Sequence, residues 1–185
     1  MTGAQVVASF HGAGDAAGAT DLPHATFRMS QMNDDLPASA SLKFARTDPA
    51  DPAFRVRYMN SSELWSAPRL TQVVDVRHAR MIYLSGQAPA DASYKVASGD
   101  FRAQMHAVFD NIEAALAVAG ATLEDIVKTT TYITDIAHRD AMREVRAERL
   151  RHLPAPPANT ALVVASLIEP EFLVEVDVVA ALPLR

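Results

Sequence analysis

Two carboxylates, Glu175 and Asp177, stand two residues apart in the apolar run Phe-Leu-Val-Glu-Val-Asp-Val-Val at 172–179. Side chains alternate faces along a strand, so both acids share one face and Val174, Val176 and Val178 share the other. Two residues of extended chain place the acids roughly 6.5–7 Å apart along the strand. A carboxylate is costly on a buried sheet face unless it is paired or wet. The face is therefore either solvated, the commoner outcome for an antiparallel sheet, or a site. As a site, a glutamate in a partly desolvated cleft is a proton acceptor of raised proton affinity, with Asp177 either coupled to it or turned to water.

Two loops carry the other candidates. Ser85-Gly-Gln87 follows a strand-like run, where a glycine lets backbone approach a ligand or another chain. The segment Pro156-Pro-Ala-Asn-Thr160 is a stiff entry to a strand, and its prolines hold Asn159 and the nearby amides in a fixed direction. The six histidines show no zinc-like spacing, so no metal is expected. Neither a P-loop nor a Gly-x-Gly-x-x-Gly nor a Gly-x-Ser-x-Gly motif is present. Arg139, Arg143 and Arg146 line one helix face, but Asp140, Glu144 and Glu148 are interleaved, which predicts a balanced, solvated face. The run Thr129-Thr-Thr131 reads as β-propensity, and Tyr132 and Trp65 as packing aromatics.

The elements that must position these groups begin near residue 60. Residues 1–58 are rich in Ala, Gly, Asp, Ser and Pro, with loop signals at 11–15 and 48–52. Runs at 41–46 and 54–58 alternate enough to pair as a small hairpin. We read 1–58 as an N-terminal extension and 59–185 as one patterned domain. Within it, strand-like runs at 70–76 and 81–85 predict a hairpin. Residues 100–119 form the strongest helix, with Phe101, Met105, Val108, Ile112 and Leu116 on one stripe, Asp100 as cap and Gly120 just past the end. A strand at 126–134, a charged helix at 137–153 and strands at 160–166 and 172–182 follow. The order β-β-α-β-α-β-β predicts an α+β fold, a single sheet with two helices on one face.

Composition bounds the function. With 185 residues the chain can bury a substantial core, and 49% hydrophobic and 21% charged residues are ordinary for a globular protein. A net charge of −5 argues against nucleic acid as a partner. No apolar run reaches membrane-spanning length, and the N-terminus lacks a secretory pattern. The absence of cysteine excludes disulfides and thiol chemistry and fits a cytoplasmic location.

Taken in order, Leu84-Ser-Gly-Gln-Ala-Pro89, Gln104 to Asn111, Ala119-Gly120, 125–135, Pro156-Pro-Ala158 and Val174-Glu-Val-Asp177 resemble the Rid family, also called YjgF, the reactive intermediate deaminases. The resemblance covers about residues 66–182. It implies a chorismate-mutase-like homotrimer with helices outside a central barrel and small-molecule sites in clefts between subunits. It implies hydrolysis of enamines and imines such as 2-aminoacrylate to a keto acid and ammonia, with no cofactor. It assigns Glu175 to water activation; Asn159, Ser85, Thr160 and Leu70 are the candidates for substrate binding.

The chain departs from the family pattern at two positions. Asn159 stands where an arginine holds the substrate carboxylate, and Leu70 stands where many members have tyrosine, with Arg69 beside it. A neutral amide for a two-pronged cation weakens carboxylate binding by about 1.5–3 kcal/mol. The expectation is a deaminase of altered specificity. The alternative is a non-catalytic metabolite-binding trimer acting as sensor or carrier. The ribonuclease label attached to the family is disfavoured by the acidic charge.

Overall fold

The computed structural model describes residues 35–97 and 100–184, so the loop signal at 11–15 lies outside the described residues. The first two strands, β1 (Ala40–Asp48) and β2 (Asp51–Ser61), form the expected antiparallel hairpin. Asp48 Oδ1 accepts the Ala50 N–H at 2.7 Å and closes the turn. The strand β2 carries the chain across residues 58 and 59 without a break. A short strand, β3 (Val73–Arg77), pairs along its other edge, giving a three-stranded sheet β1-β2-β3.

The second sheet contains β4 (Ala79–Gln87), β5 (Ile126–Ile133), β6 (Ala158–Val163) and β7 (Val174–Pro183) in the order β4-β7-β5-β6. Helix α1 (Phe101–Val118) connects β4 to β5, and helix α2 (Arg139–Arg149) crosses over from β5 to β6. That crossover makes β5 and β6 parallel, while the other pairs in this sheet are antiparallel.

The α+β class and the element order from residue 59 onward hold, with two corrections. The runs at 70–76 and 81–85 do not form a hairpin. Only His78 separates β3 from β4, and a hairpin needs at least two loop residues. His78 takes a left-handed φ of 51° and sends the two strands to different partners, β2 and β7. The strands consequently divide between two sheets instead of one.

The core follows the sequence pattern. Asp100 caps α1 by accepting the Ala103 N–H, and Gly120 takes the left-handed turn after it at φ 70°. Met105, Val108, Ile112 and Leu116 are fully buried against Val174, Val176 and Val178 of β7. Arg149 joins the helices, bonding Asp110 at 2.7 Å and Glu113 at 2.9 Å on α1. A second cluster packs Phe54, Val56 and Tyr58 of β2 against Val127 and Ala181, which seats the first sheet on one end of the second.

Two polar side chains of α1 fix the segments that flank the acid strand. The buried Gln104 bonds both the Glu171 carbonyl (2.9 Å) and the Leu173 N–H (2.8 Å), setting the entry to β7. Asn111 donates to the Ala88 and Ala90 carbonyls, both at 2.8 Å, and holds the loop after β4.

Candidate functional site

The second sheet has a helix-covered face and an open face. Val174, Val176 and Val178 fill the first, so alternation sends Glu175 and Asp177 to the second. In register, Tyr132 of β5 lies opposite Glu175 and Thr130 opposite Asp177. The Tyr132 hydroxyl donates to Asp177 Oδ2 at 2.9 Å, which stabilises the neutral phenol and raises its pKa. Asp177 is thereby anchored, with Glu175 beside it on the same face.

Glu175 owes its position to a bulge in β4. Leu84 pairs with Val178 but Gln87 with Val176, so β4 carries one extra residue across from Asp177. Gly86 lies in that bulge. A Cβ placed on it would fall 2.0 Å from Glu175 Oε1 and 2.7 Å from Cδ, so the glutamate carboxylate occupies the space of a side chain that is absent. Burial raises the Glu175 pKa above the ordinary carboxylate value, and the charge of Asp177 raises it further. The arrangement is a partly desolvated proton acceptor. Ser85 is exposed in the same bulge, and Thr160 is exposed on the same sheet face, taking a hydrogen bond from Lys128 Nζ at 2.5 Å.

Asn159 faces the other way. It pairs with Thr129, which pairs with Val178 on the helix-covered face. Its Oδ1 accepts hydroxyl hydrogens from Thr129 (2.8 Å) and Thr131 (3.4 Å), both buried. Asn159 lines a cleft of about 580 Å³ between α2 and β6, together with Leu70, Arg69, Met142 and Arg146. Within one chain, then, Leu70 and Asn159 share a cleft, while Glu175, Ser85 and Thr160 belong to the opposite face of the sheet.

Several residues with a place in this geometry were read otherwise from the sequence. Tyr132 is a hydrogen-bond partner of Asp177, not simply a packing aromatic. Thr129 and Thr131 hold Asn159; their period-two spacing opposite the strand that enters at Pro157 was the available signal. Arg139 and Arg143 line the cleft but are exposed and approach Asp140, as the balanced, solvated reading expects; Arg146 departs from it, being half-buried in the cleft with its Nε fully buried. Of the interleaved acids, Asp140 approaches Arg139 and Arg143, whereas the other two turn toward α1. Glu144 meets Arg102, and Glu148 faces His106 at 4.0 Å. Among the described residues, no group of three or more His, Cys, Asp or Glu is placed to hold a metal ion.

A mixed sheet backed by two helices, with a strand-borne glutamate set against a glycine bulge, defines a small α+β domain of the Rid type. The profile of the family described as Endoribonuclease L-PSP matches residues 61–182, and the chain belongs to this family, the Rid/YjgF proteins. A RutC family protein of Pyrococcus abyssi is 33% identical over 106 residues, covering 57% of this chain and 81% of that protein. Protein DfrA of Myxococcus xanthus is 32% identical over 111 residues, covering 60% and 82%. Among solved structures, the Rid family protein YyfB of Yersinia pestis is 27% identical with a TM-score of 0.63, covering 69% of this chain and 98% of that one. RidA from an Antarctic Psychrobacter is 31% identical with a TM-score of 0.51, covering 57% and 87%. No helix among the described residues is long and apolar enough to cross a membrane.

Proposed function

We propose that this protein hydrolyses reactive enamine or imine metabolites to a carbonyl compound and ammonia, with a specificity shifted from the 2-aminoacrylate type. The observation that carries the reading is the Glu175 carboxylate, seated on Gly86 and held at raised proton affinity beside Asp177. An enamine protonated at carbon becomes an iminium ion, whose carbon is electrophilic without further activation. Water adds to that carbon while Glu175 takes its proton. Glu175 returns that proton to the nitrogen of the carbinolamine, the C–N bond breaks and ammonia leaves as the C=O bond forms, and the hydroxyl proton passes to Glu175 or to water. No redox step or cofactor enters this balance.

The proposed unit is a homotrimer. Glu175 and Asn159 lie on opposite faces of one sheet, so a site that uses both takes them from different copies of the chain. A solution mass corresponding to the monomer would overturn that part of the reading.

The catalytic test is ammonia release from 2-aminoacrylate generated in situ and from bulkier imines. The wild type is expected to accelerate at least one of them, and Glu175→Gln to lose most of that acceleration while keeping its fold. If Glu175→Gln matches the wild type on every substrate, the hydrolase reading fails. The second reading, a non-hydrolytic metabolite-binding trimer, draws on Asn159 in place of the family's arginine. It predicts thermal stabilisation by a ligand that is not consumed.

A further inference from the structure

Among the described residues, the cleft between α2 and β6 is lined by four arginines, Arg69, Arg139, Arg143 and Arg146, and by no acidic side chain. Two of the four are partnered, because Arg139 and Arg143 both approach Asp140, at 3.0 and 3.7 Å. The other two form no ion pair among the described residues. Arg146 Nη2 donates to the Pro157 carbonyl at 3.1 Å, and its Nε is buried with no hydrogen-bond partner. Arg69 Nη2 donates to the Leu150 carbonyl at 3.2 Å.

A guanidinium removed from water without a counter-charge is unfavourable, and a second cation nearby makes it more so. Burial and then the charge of Arg69 both push the Arg146 pKa down. The arrangement is relieved by an anion between the two. Asn159 adds to it: its Oδ1 is occupied by Thr129 and Thr131, which leaves the amide N–H₂ group as a neutral donor in the same cleft. Leu70, Ile133 and Met142 supply apolar wall. Charge and wall together match a ligand with a carboxylate at one end and an apolar body.

We propose that Arg146 and Arg69, with the Asn159 amide, form the carboxylate-binding site for an organic acid with an apolar body. The positive charge missing at position 159 is thus supplied from α2 and from the segment before β3. For the reaction, this inference rests on the hydrolase reading and names its substrate class; for binding, it stands alone.

The test is calorimetric titration of the full-length protein with phenylpyruvate and with its methyl ester. The acid is expected to bind at least about tenfold more tightly than the ester, since a charge-assisted contact is lost. Arg69→Gln and Arg146→Gln are each expected to weaken the acid by about ten- to a hundredfold. Arg146→Lys keeps the charge but not the fork and is expected to fall between. Arg69 is exposed, so its variant remains informative if Arg146→Gln unfolds. Equal binding of acid and ester overturns the proposal, as does failure of phenylpyruvate to bind or wild-type affinity in Arg69→Gln. Hydrolysis by Glu175→Gln at the wild-type rate overturns only the catalytic reading.

Discussion

Gly86 and Glu175 share one volume. The glutamate carboxylate sits where a side chain at position 86 would be, 2.0 Å from the ideal Cβ position. The bulge in β4 and the acid of β7 therefore form a single device, in which a missing side chain on one strand houses a charged group of its neighbour.

Gly86→Ala follows directly from that contact. The atom struck is the end of a flexible side chain, so Glu175 swings aside and the sheet survives. The expected result is a melting temperature within a few degrees of the wild type. A displacement of this size costs up to about a hundredfold in kcat/KM. Circular dichroism melts and ammonia-release kinetics measure the two effects on one preparation.

The raised proton affinity of Glu175 sets a pH dependence. As the proposed base, Glu175 must be deprotonated, so log kcat/KM is expected to rise with pH through an apparent pKa above the ordinary carboxylate value. Asp177→Asn removes the neighbouring charge but leaves an acceptor for Tyr132, so the limb moves to lower pH. It does not return fully, because burial is the larger cause. In stability the sign is opposite. The folded state binds this proton more tightly than the unfolded one, so the contribution is most favourable below the ordinary pKa and is lost as pH rises through the folded pKa. Profiles in which the wild type and Asp177→Asn share one acidic limb would dismiss the coupling.

A chain started at Met59 tests whether the preceding residues are dispensable. It lacks β1 and most of β2, leaves β3 without its strand partner, and strips Phe54, Val56 and Tyr58 from Val127 and Ala181. Each of those side chains contributes about 1.5–3 kcal/mol of burial, against a total stability of about 5–15 kcal/mol for a typical domain. The expected outcome is a markedly lower melting temperature and aggregation by light scattering. An unchanged, monodisperse product would make residues 1–58 a removable extension.

Much of the fold was legible because it rests on local periodicity. The apolar stripe of α1 with Asp100 and Gly120 at its ends, the alternation of β7 and the apolar and β-branched content of β5 each need only neighbours along the chain. Pairing was less legible. Runs at 70–76 and 81–85 look like hairpin arms, and only the one-residue gap at His78, with its left-handed φ, separates them. The division into two sheets comes from β3 meeting β2, a choice made through Phe54, Val56 and the apolar end of the second sheet.

By itself, the sequence determined that Glu175 and Asp177 share a face, that a glycine follows Ser85, and that Asn159 stands where the family carries a cation. The first two follow from covalent order and the two-residue period of a strand; the third is what the resemblance to the family implies. Tertiary structure decided what those residues meet. It laid Glu175 on Gly86, tied Asp177 to Tyr132, and turned Asn159 toward Thr129 and Thr131 on the other face of the sheet. It also set Arg146 and Arg69 along one cleft, though they lie on separate elements and their charges look unremarkable in the chain. The physical reason is that burial and electrostatic coupling depend on distance in space, and register and crossover connections set those distances.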